Sequence, residues 1–382
     1  MKRALMYASV ASMIQQFNME NIRLLLEQGY EVDVACNMEQ GSTVTEEKIA
    51  SMKKELEAMG VKVYHIPVPR NITAIGGILE SFRLSRRLMN ERDYSLIHSH
   101  SPIGGMICRL ANRFSKNYGK TEMIYTAHGF HFYKGAPKKN WLMFYPVEWL
   151  CSRYTDVLIT INQEDYALAK SKMKAKRVEY VPGIGIDLKR IAGFPQKRKE
   201  VCHSLGIPQD SVLMLSVGEL NDNKNHGAVV EILDQLPDNY HYLICGQGAN
   251  RPVLEAIAKE HGCDSRLHIL GYRDDVISVL KSCDLYVFPS RREGLSVALM
   301  EAMACGMPCF VSNIRGNCDL IINEEGGALL TVDAFGQELV EKFKKIEDMA
   351  AFKENCGQKN TQRVNMFSRE NVGKRMEWIY GG

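Results

Sequence analysis

At 382 residues, with 45% hydrophobic and 24% charged side chains, the chain has the composition of a soluble globular protein, too long for one small domain and most simply divided in two. A net charge of +3 without a long basic run gives no argument for nucleic acid as a partner. The 11 cysteines are odd in number and include no Cys-x-x-Cys pair, so they suggest neither a disulfide framework nor a zinc site and fit a reducing cytosol; no apolar run approaches the ~20 residues that span a bilayer.

The chain opens on Met1-Lys2-Arg3 and a mostly apolar stretch to Ile14, which imitates a short secretion signal. An amphipathic segment and a second β-rich run follow at βαβ spacing, so a first strand over 4–8 is expected instead. A helix over 16–28 ends at Gly29, and strands are expected at 31–35, 61–66, 96–100, 123–128, 157–161 and 178–181, the pattern of a parallel sheet. Pro182-Gly-Ile-Gly-Ile-Asp187 reads as a hinge. A second doubly wound series follows at 212–218, 240–246, 267–270, 285–288 and 309–312. From Asp333 the pattern is helical and ends in a terminal helix through Trp378-Ile-Tyr380.

One stretch carries the chemistry: Phe288-Pro-Ser-Arg-Arg-Glu293-Gly-Leu-Ser-Val-Ala-Leu-Met-Glu301-Ala-Met-Ala-Cys-Gly306-Met-Pro308. An apolar run ends at Pro289, Ser296 can cap a helix, and Gly306 and Pro308 stop it. Glu293 is then on the loop and Glu301 on the helix. A helix start offers free N–H groups to a diphosphate, and a carboxylate accepts paired hydroxyls of ribose or hexose, so the segment reads as a sugar-nucleotide site. A bare Glu-x7-Glu spacing would more often be two solvated glutamates on an amphipathic helix; the Phe-Pro-Ser, Glu-Gly and Ala-Cys-Gly-x-Pro context shifts the balance.

With that context the segment resembles the donor-binding signature of the retaining nucleotide-sugar transferases of glycosyltransferase family 4. The resemblance implies an α/β GT-B architecture of two Rossmann-like doubly wound parallel-sheet domains facing across a cleft. It assigns 1–184 to an acceptor-binding domain, 185–365 to a nucleotide-sugar-binding domain and 366–382 to a helix crossing back to the first. It places Glu293 on hydroxyls of the donor sugar and Glu301 on the ribose, with the amides around Gly294, Leu295 and Ser296 on sugar and phosphates.

In Ser216-Val-Gly218-Glu219-Leu-Asn-Asp-Asn-Lys224 a strand runs into a polar loop, and Lys224 is the expected diphosphate ligand, neutralising charge on the departing nucleotide. The family usually has Arg where Glu219 stands. A carboxylate ~6 Å from a phosphate at an effective dielectric of ~20 costs about 3 kcal/mol. Glu219 is therefore expected to pair with Lys224 or meet a sugar or acceptor hydroxyl, while Arg251, Arg291 or Arg292 serves the phosphate. Gly246 and Gly248 suit a phosphate turn or close helix packing.

On the first domain, His128 matches a family histidine lining the donor sugar, although a lone histidine after a strand is more often structural; His98 and His100 alternate on a strand end, and His100 is a candidate for shaping the acceptor cleft. Ala11-Ser12 replaces the family's usual Gly-Gly pair. The aromatic and lysine-rich stretch 130–145, with Arg83, Arg86 and Arg87, suits a peripheral contact with an anionic membrane. It also resembles transferases that build capsule or exopolysaccharide on a polyprenyl diphosphate carrier. The resulting expectation is a retaining transfer of a hexose or N-acetylhexosamine from a UDP-sugar to a polyprenyl-linked saccharide at the cytoplasmic membrane face, with no obligatory metal. Two rivals remain: a UDP-sugar epimerase, which shares the architecture, and a non-catalytic sugar-nucleotide-binding subunit, which is of a different class.

Overall fold

The computed structural model describes residues 2–39 and 45–381; Met1, part of the signal-like opening, lies outside them. The chain divides into two compact units, the first running up to Ile184 and including the chain from Glu370, the second spanning Gly185–Arg369.

Unit 1 is built on seven parallel strands: β1 (Arg3–Val10), β2 (Glu31–Asn37), β3 (Lys62–His65), β4 (Leu96–His100), β5 (Glu122–Ala127), β6 (Val157–Thr160) and β7 (Arg177–Tyr180), in spatial order β3-β2-β1-β4-β5-β6-β7. Because helices cover both faces, β1 is apolar on both: Ala4, Met6 and Ala8 enter one core, Leu5 and Tyr7 the other. The register pairs Met6 with His98 and Leu5 with Ile97. Val372, Met376, Ile379 and Tyr380 of the terminal helix Arg369–Gly381 join the core on the Met6 face. The segment expected as one helix over 16–28 is two, Ala11–Phe17 and Met19–Glu27. Asn18 breaks it, donating its side-chain amide to the Met13 carbonyl at 2.9 Å, a local bond that competes with the helix ladder.

Unit 2 carries β8 (Val212–Val217), β9 (Tyr240–Cys245), β10 (Leu267–Gly271), β11 (Leu285–Phe288), β12 (Cys309–Ser312) and β13 (Gly327–Leu330), in order β10-β9-β8-β11-β12-β13. Alternation again splits β11 between two cores, Leu285 and Val287 against Tyr286 and Phe288. β13 was not expected; its Gly-Ala-Leu-Leu is too short to show a period. At the expected hinge, Gly183 and Gly185 take left-handed backbone, and a Cβ on Gly185 would stand 2.6 Å from the Arg369 Cα. The glycine is needed because residues 186 and 368 pair as a short parallel bridge.

The helix Pro102–Arg113 buries Arg109 completely. Its guanidinium stacks 3.8 Å from the Tyr125 ring and donates to Glu148 Oε1 at 2.5 Å. Removing one partner of such a pair strands the other charge. Glu148→Ala is expected to lower unfolding stability by about 3–5 kcal/mol, read as a shift in urea midpoint at unchanged slope; a loss below ~1 kcal/mol would show that water or another acceptor reaches Arg109.

Candidate active site

In unit 2 the strand order reverses between β8 and β11, where β8 is followed outward by β9 and β11 by β12. Open α/β sheets hold ligands at such a point, beyond the carboxyl ends of the strands. The loops leaving these two strands carry Gly218 to Lys224 and Pro289 to Glu293. Asn223 Nδ2 donates to the Arg292 carbonyl at 3.0 Å, the Arg291 amide donates to the Asn223 carbonyl at 2.7 Å, and Asn225 Nδ2 donates to the Pro289 carbonyl at 3.2 Å. Asn225 takes a left-handed φ of 55° to do so.

So tied, the loops bring Lys224 Nζ to 2.7 Å from Glu293 Oε1, with the ammonium 4.7 Å from the centre of the Phe288 ring. The Lys224 stem lies across Gly218, where a Cβ would approach its Cε to 3.0 Å. Glu219 does not pair with Lys224. It is exposed and accepts from Asn221 Nδ2 at 3.1 Å.

Ser296 caps the helix Val297–Ala304 by accepting from the Leu299 amide at 3.3 Å. That leaves first-turn N–H groups without intrahelical acceptors, a positive end beside Gly294 and Leu295. Gly294 is backed by Gly316, where a Cβ would stand 2.3 Å from the Gly294 carbonyl oxygen. Glu301, in the same helix, is half-buried; burial raises its carboxyl pKa above the ordinary value, and Arg190 opposes the rise.

Of the basic residues expected at the phosphate, Arg251 and Arg291 are engaged otherwise. Arg251 pairs with Glu255 one helical turn on, at 2.8 Å, and is largely exposed. Arg291 donates to Asn225 Oδ1 at 3.0 Å, and the Arg292 carbonyl serves Asn223. Arg315 is the basic side chain that sequence reasoning missed: its Nε donates to the Glu293 carbonyl at 3.3 Å. Its signal was its place just after β12, at the carboxyl edge of the sheet. Ser290 was missed too; its Oγ is buried without a hydrogen-bond partner among the described residues. Gly246 and Gly248 serve close packing: a Cβ would stand 1.7 Å from the Gly218 oxygen at the first and 2.3 Å from the Leu220 oxygen at the second. Gly246→Ala is therefore expected to push the Lys224 loop off its seat and to cost about 1–3 kcal/mol of unfolding stability, read as a lower urea midpoint at unchanged slope; an unchanged midpoint would mean that the loop gives way freely.

In unit 1 the order reverses between β1 and β4. Ala11 and Ser12, both buried, open the helix that follows β1 directly. At the carboxyl ends of β4 and β5 lies a histidine cluster. His98 and His100 share a face of β4 with ring centroids 4.1 Å apart. His98 Nδ1 meets the Tyr380 hydroxyl at 2.7 Å and Nε2 the Thr126 hydroxyl at 2.8 Å. His100 Nδ1 meets His128 Nε2 at 3.1 Å, and Phe17 sets its edge on His128. Burial lowers all three pKa values, to about 3 for His98 and about 4 for His128, with neighbouring histidines adding to the shift at His98 and His100.

These groups stay neutral in the fold while their unfolded counterparts titrate near 6.5, so the unfolded chain binds more protons below that pH. Their contribution is complete above pH ~6.5 and is lost as pH falls towards 4. At pH 5 His98 and His128 should each cost about 2 kcal/mol of stability, measured as the part of the fall in unfolding free energy between pH 7.5 and 5 that His98→Gln or His128→Gln removes; an unchanged fall in either variant would mean that its ring is protonated in the fold at pH 5.

Comparison with known proteins agrees with both sheets. Residues 14–183 match the family described as Glycosyl transferase 4-like domain, and residues 197–363 match Glycosyl transferases group 1. The putative glycosyltransferase EpsD of Bacillus subtilis is 30% identical over 99% of this chain and 96% of its own. The UDP-Gal:alpha-D-GlcNAc-diphosphoundecaprenol alpha-1,3-galactosyltransferase of Escherichia coli is 27% identical over 93% of this chain and 91% of its own. Among solved structures, HepE of Anabaena in complex with UDP-glucose superposes with a TM-score of 0.75 at 16% identity, covering 99% of each chain. The chain belongs to the group 1 glycosyl transferases, with a family 4-like first unit and the GT-B fold.

Proposed function

We propose that this glycosyltransferase moves a hexose or N-acetylhexosamine from a UDP-sugar to a polyprenyl-diphosphate-linked saccharide with retention of anomeric configuration. The observation that carries the reading is the Lys224–Glu293 pair beside the start of the Ser296-capped helix. Cation and helix start suit a diphosphate, and the carboxylate suits sugar hydroxyls. The two named relatives support the setting: one is a putative Eps glycosyltransferase, and the other takes UDP-Gal and a diphosphoundecaprenol-linked sugar.

Lys224, the helix amides and Arg315 stabilise charge as it grows on the leaving diphosphate, so no divalent ion is required. The bond from the anomeric carbon to phosphate oxygen breaks, the bond to the acceptor oxygen forms on the same face, and the acceptor's proton passes to the departing phosphate. Glu293 positions the sugar, Glu301 holds the ribose and His128 contacts a substrate oxygen.

A membrane-borne acceptor fits unit 1's surface. The helix Lys138–Ser152 exposes Leu142 at 80% with Met143 in the turn after Lys138 and Lys139, and Leu150 further along, while Phe130 and Phe132 from the aromatic stretch are buried. No helix among the described residues is long and apolar enough to cross a membrane. The enzyme acts as a peripheral protein on the cytoplasmic face.

The test is release of UDP from a panel of UDP- and GDP-sugars in EDTA, with and without polyprenyl-diphosphate saccharides extracted from bacterial membranes. Acceptor-dependent release from one UDP-sugar is expected, with Glu293→Ala lowering kcat by ~100-fold and Glu301→Ala acting mainly on KM by ~10-fold or more. Binding without release would make the chain a sugar-nucleotide-binding subunit, interconversion of donors without acceptor an epimerase, and loss of activity in EDTA a metal-dependent transferase.

A further inference from the structure

His100 and His128 share a single hydrogen, and the surroundings decide which ring owns it. A neutral imidazole carries one N–H and one bare nitrogen. The 3.1 Å contact between His100 Nδ1 and His128 Nε2 therefore admits two arrangements. In one, His100 donates from Nδ1, its Nε2 is bare, and His128 accepts at Nε2 while keeping its own hydrogen on Nδ1. In the other, His128 donates from Nε2, and His100 must carry its hydrogen on Nε2.

The second arrangement is the costly one. His100 is 2% exposed, and its Nε2 is buried with no hydrogen-bond partner among the described residues. A buried N–H without an acceptor forfeits a full hydrogen bond to water, and orphaned donors are the rarer defect in folded proteins. A bare ring nitrogen in the same place loses less. The ring is also held in place, because the His98 ring lies 4.1 Å from it, tilted by 41°, and is itself fixed at both nitrogens by Tyr380 and Thr126.

We propose that His100 is a positioning residue that sets the Nδ1–H tautomer of His128, so that His128 offers its substrate a hydrogen-bond donor and no base. The inference rests on the reading of His128 as a substrate contact. It adds that the acceptor's proton does not leave through this ring, whose Nε2 lone pair is already occupied by His100. The signal in sequence was the alternation His98-Ser-His100 opposite Thr126-Ala-His128, which the parallel register turns into adjacent rings by pairing His100 with Thr126.

The experiment is a long-range proton–nitrogen correlation spectrum of the full chain with 15N-labelled histidine at pH 7.5, in which the two neutral tautomers give different patterns. His128 is assigned by its absence in His128→Gln. Hydrogen on Nδ1 of His128 is expected. His100→Asn, whose amide can stand where Nδ1–H stood, keeps that pattern and holds kcat within ~3-fold; His100→Phe keeps a ring against His98, loses the pattern and lowers kcat by ~10–100-fold with a smaller change in KM. Tyr380→Phe removes a hydrogen bond of the same cluster without touching the shared hydrogen and should leave the His128 pattern intact. Hydrogen on Nε2 of wild-type His128 overturns the proposal, as does a Tyr380→Phe spectrum altered as much as that of His100→Phe. Hydrogen on Nδ1 with full activity in His128→Ala supports the tautomer assignment and overturns only the substrate-contact reading.

Discussion

The Lys224–Glu293 ion pair is the interaction on which the loop end of the unit 2 sheet depends. Each side chain is mostly withdrawn from water, with exposures of 19% and 13%. Either charge alone would be penalised in such a place, whereas together they hold one another oriented at modest net cost. Their separation is set by the sheet: the loops that carry them leave adjacent strands whose register pairs Leu285 with Met214 and Tyr286 with Leu215. A slip of one residue would turn each strand's side chains to the opposite face and carry the pair out of reach. The asparagines of the first loop then fix the second, so the pair is prepared before any ligand arrives.

A similar logic governs unit 1 with neutral groups in place of charges. β4 puts His98 on the face that the terminal helix covers, and Tyr380, 282 residues further along the chain, closes the hydrogen bond to it. Arg375 of the same helix pairs with Glu179 in β7. The last helix therefore packs as part of unit 1, although unit 2 separates the two stretches in sequence. Burial keeps the rings neutral, so this cluster works through tautomers and hydrogen-bond direction and not through net charge.

Parallel sheets buried on both faces announce themselves as apolar runs, and most strands were legible for that reason. Glu293, Glu301 and Ser296 were legible as a pattern of turn, cap and helix, since capping is local chemistry. The break at Asn18 was hidden because it depends on one amide choosing the Met13 carbonyl, and β13 was hidden by its four-residue length. Ion partners were the least legible feature. Nothing near Lys224 in sequence says that its carboxylate partner stands 69 residues away and not at Glu219, because that choice is made by strand order. Arg315 was hidden in the same way: it reaches Glu293 only after β12 is laid beside β11.

The acid at position 219 can then be understood in electrostatic terms. Held unpaired ~6 Å from a phosphate at an effective dielectric of ~20, a carboxylate would repel it by about 3 kcal/mol; facing water at the same distance it repels by about 0.7 kcal/mol, and salt screens part of that. The exposed course of Glu219 and its bond to Asn221 correspond to the second case. Its side chain also sits on the loop whose backbone is clamped by Gly246 and Gly248, so the loop keeps its path whichever side chain the position bears. The positive charge that the position lacks has a counterpart in Arg315, which reaches the Glu293 backbone from a different strand end. A basic side chain delivered from the end of β12 reaches the Glu293 backbone carbonyl, so a cation is brought to the Glu293 loop by the order of the strands, without help from the loop that carries Lys224.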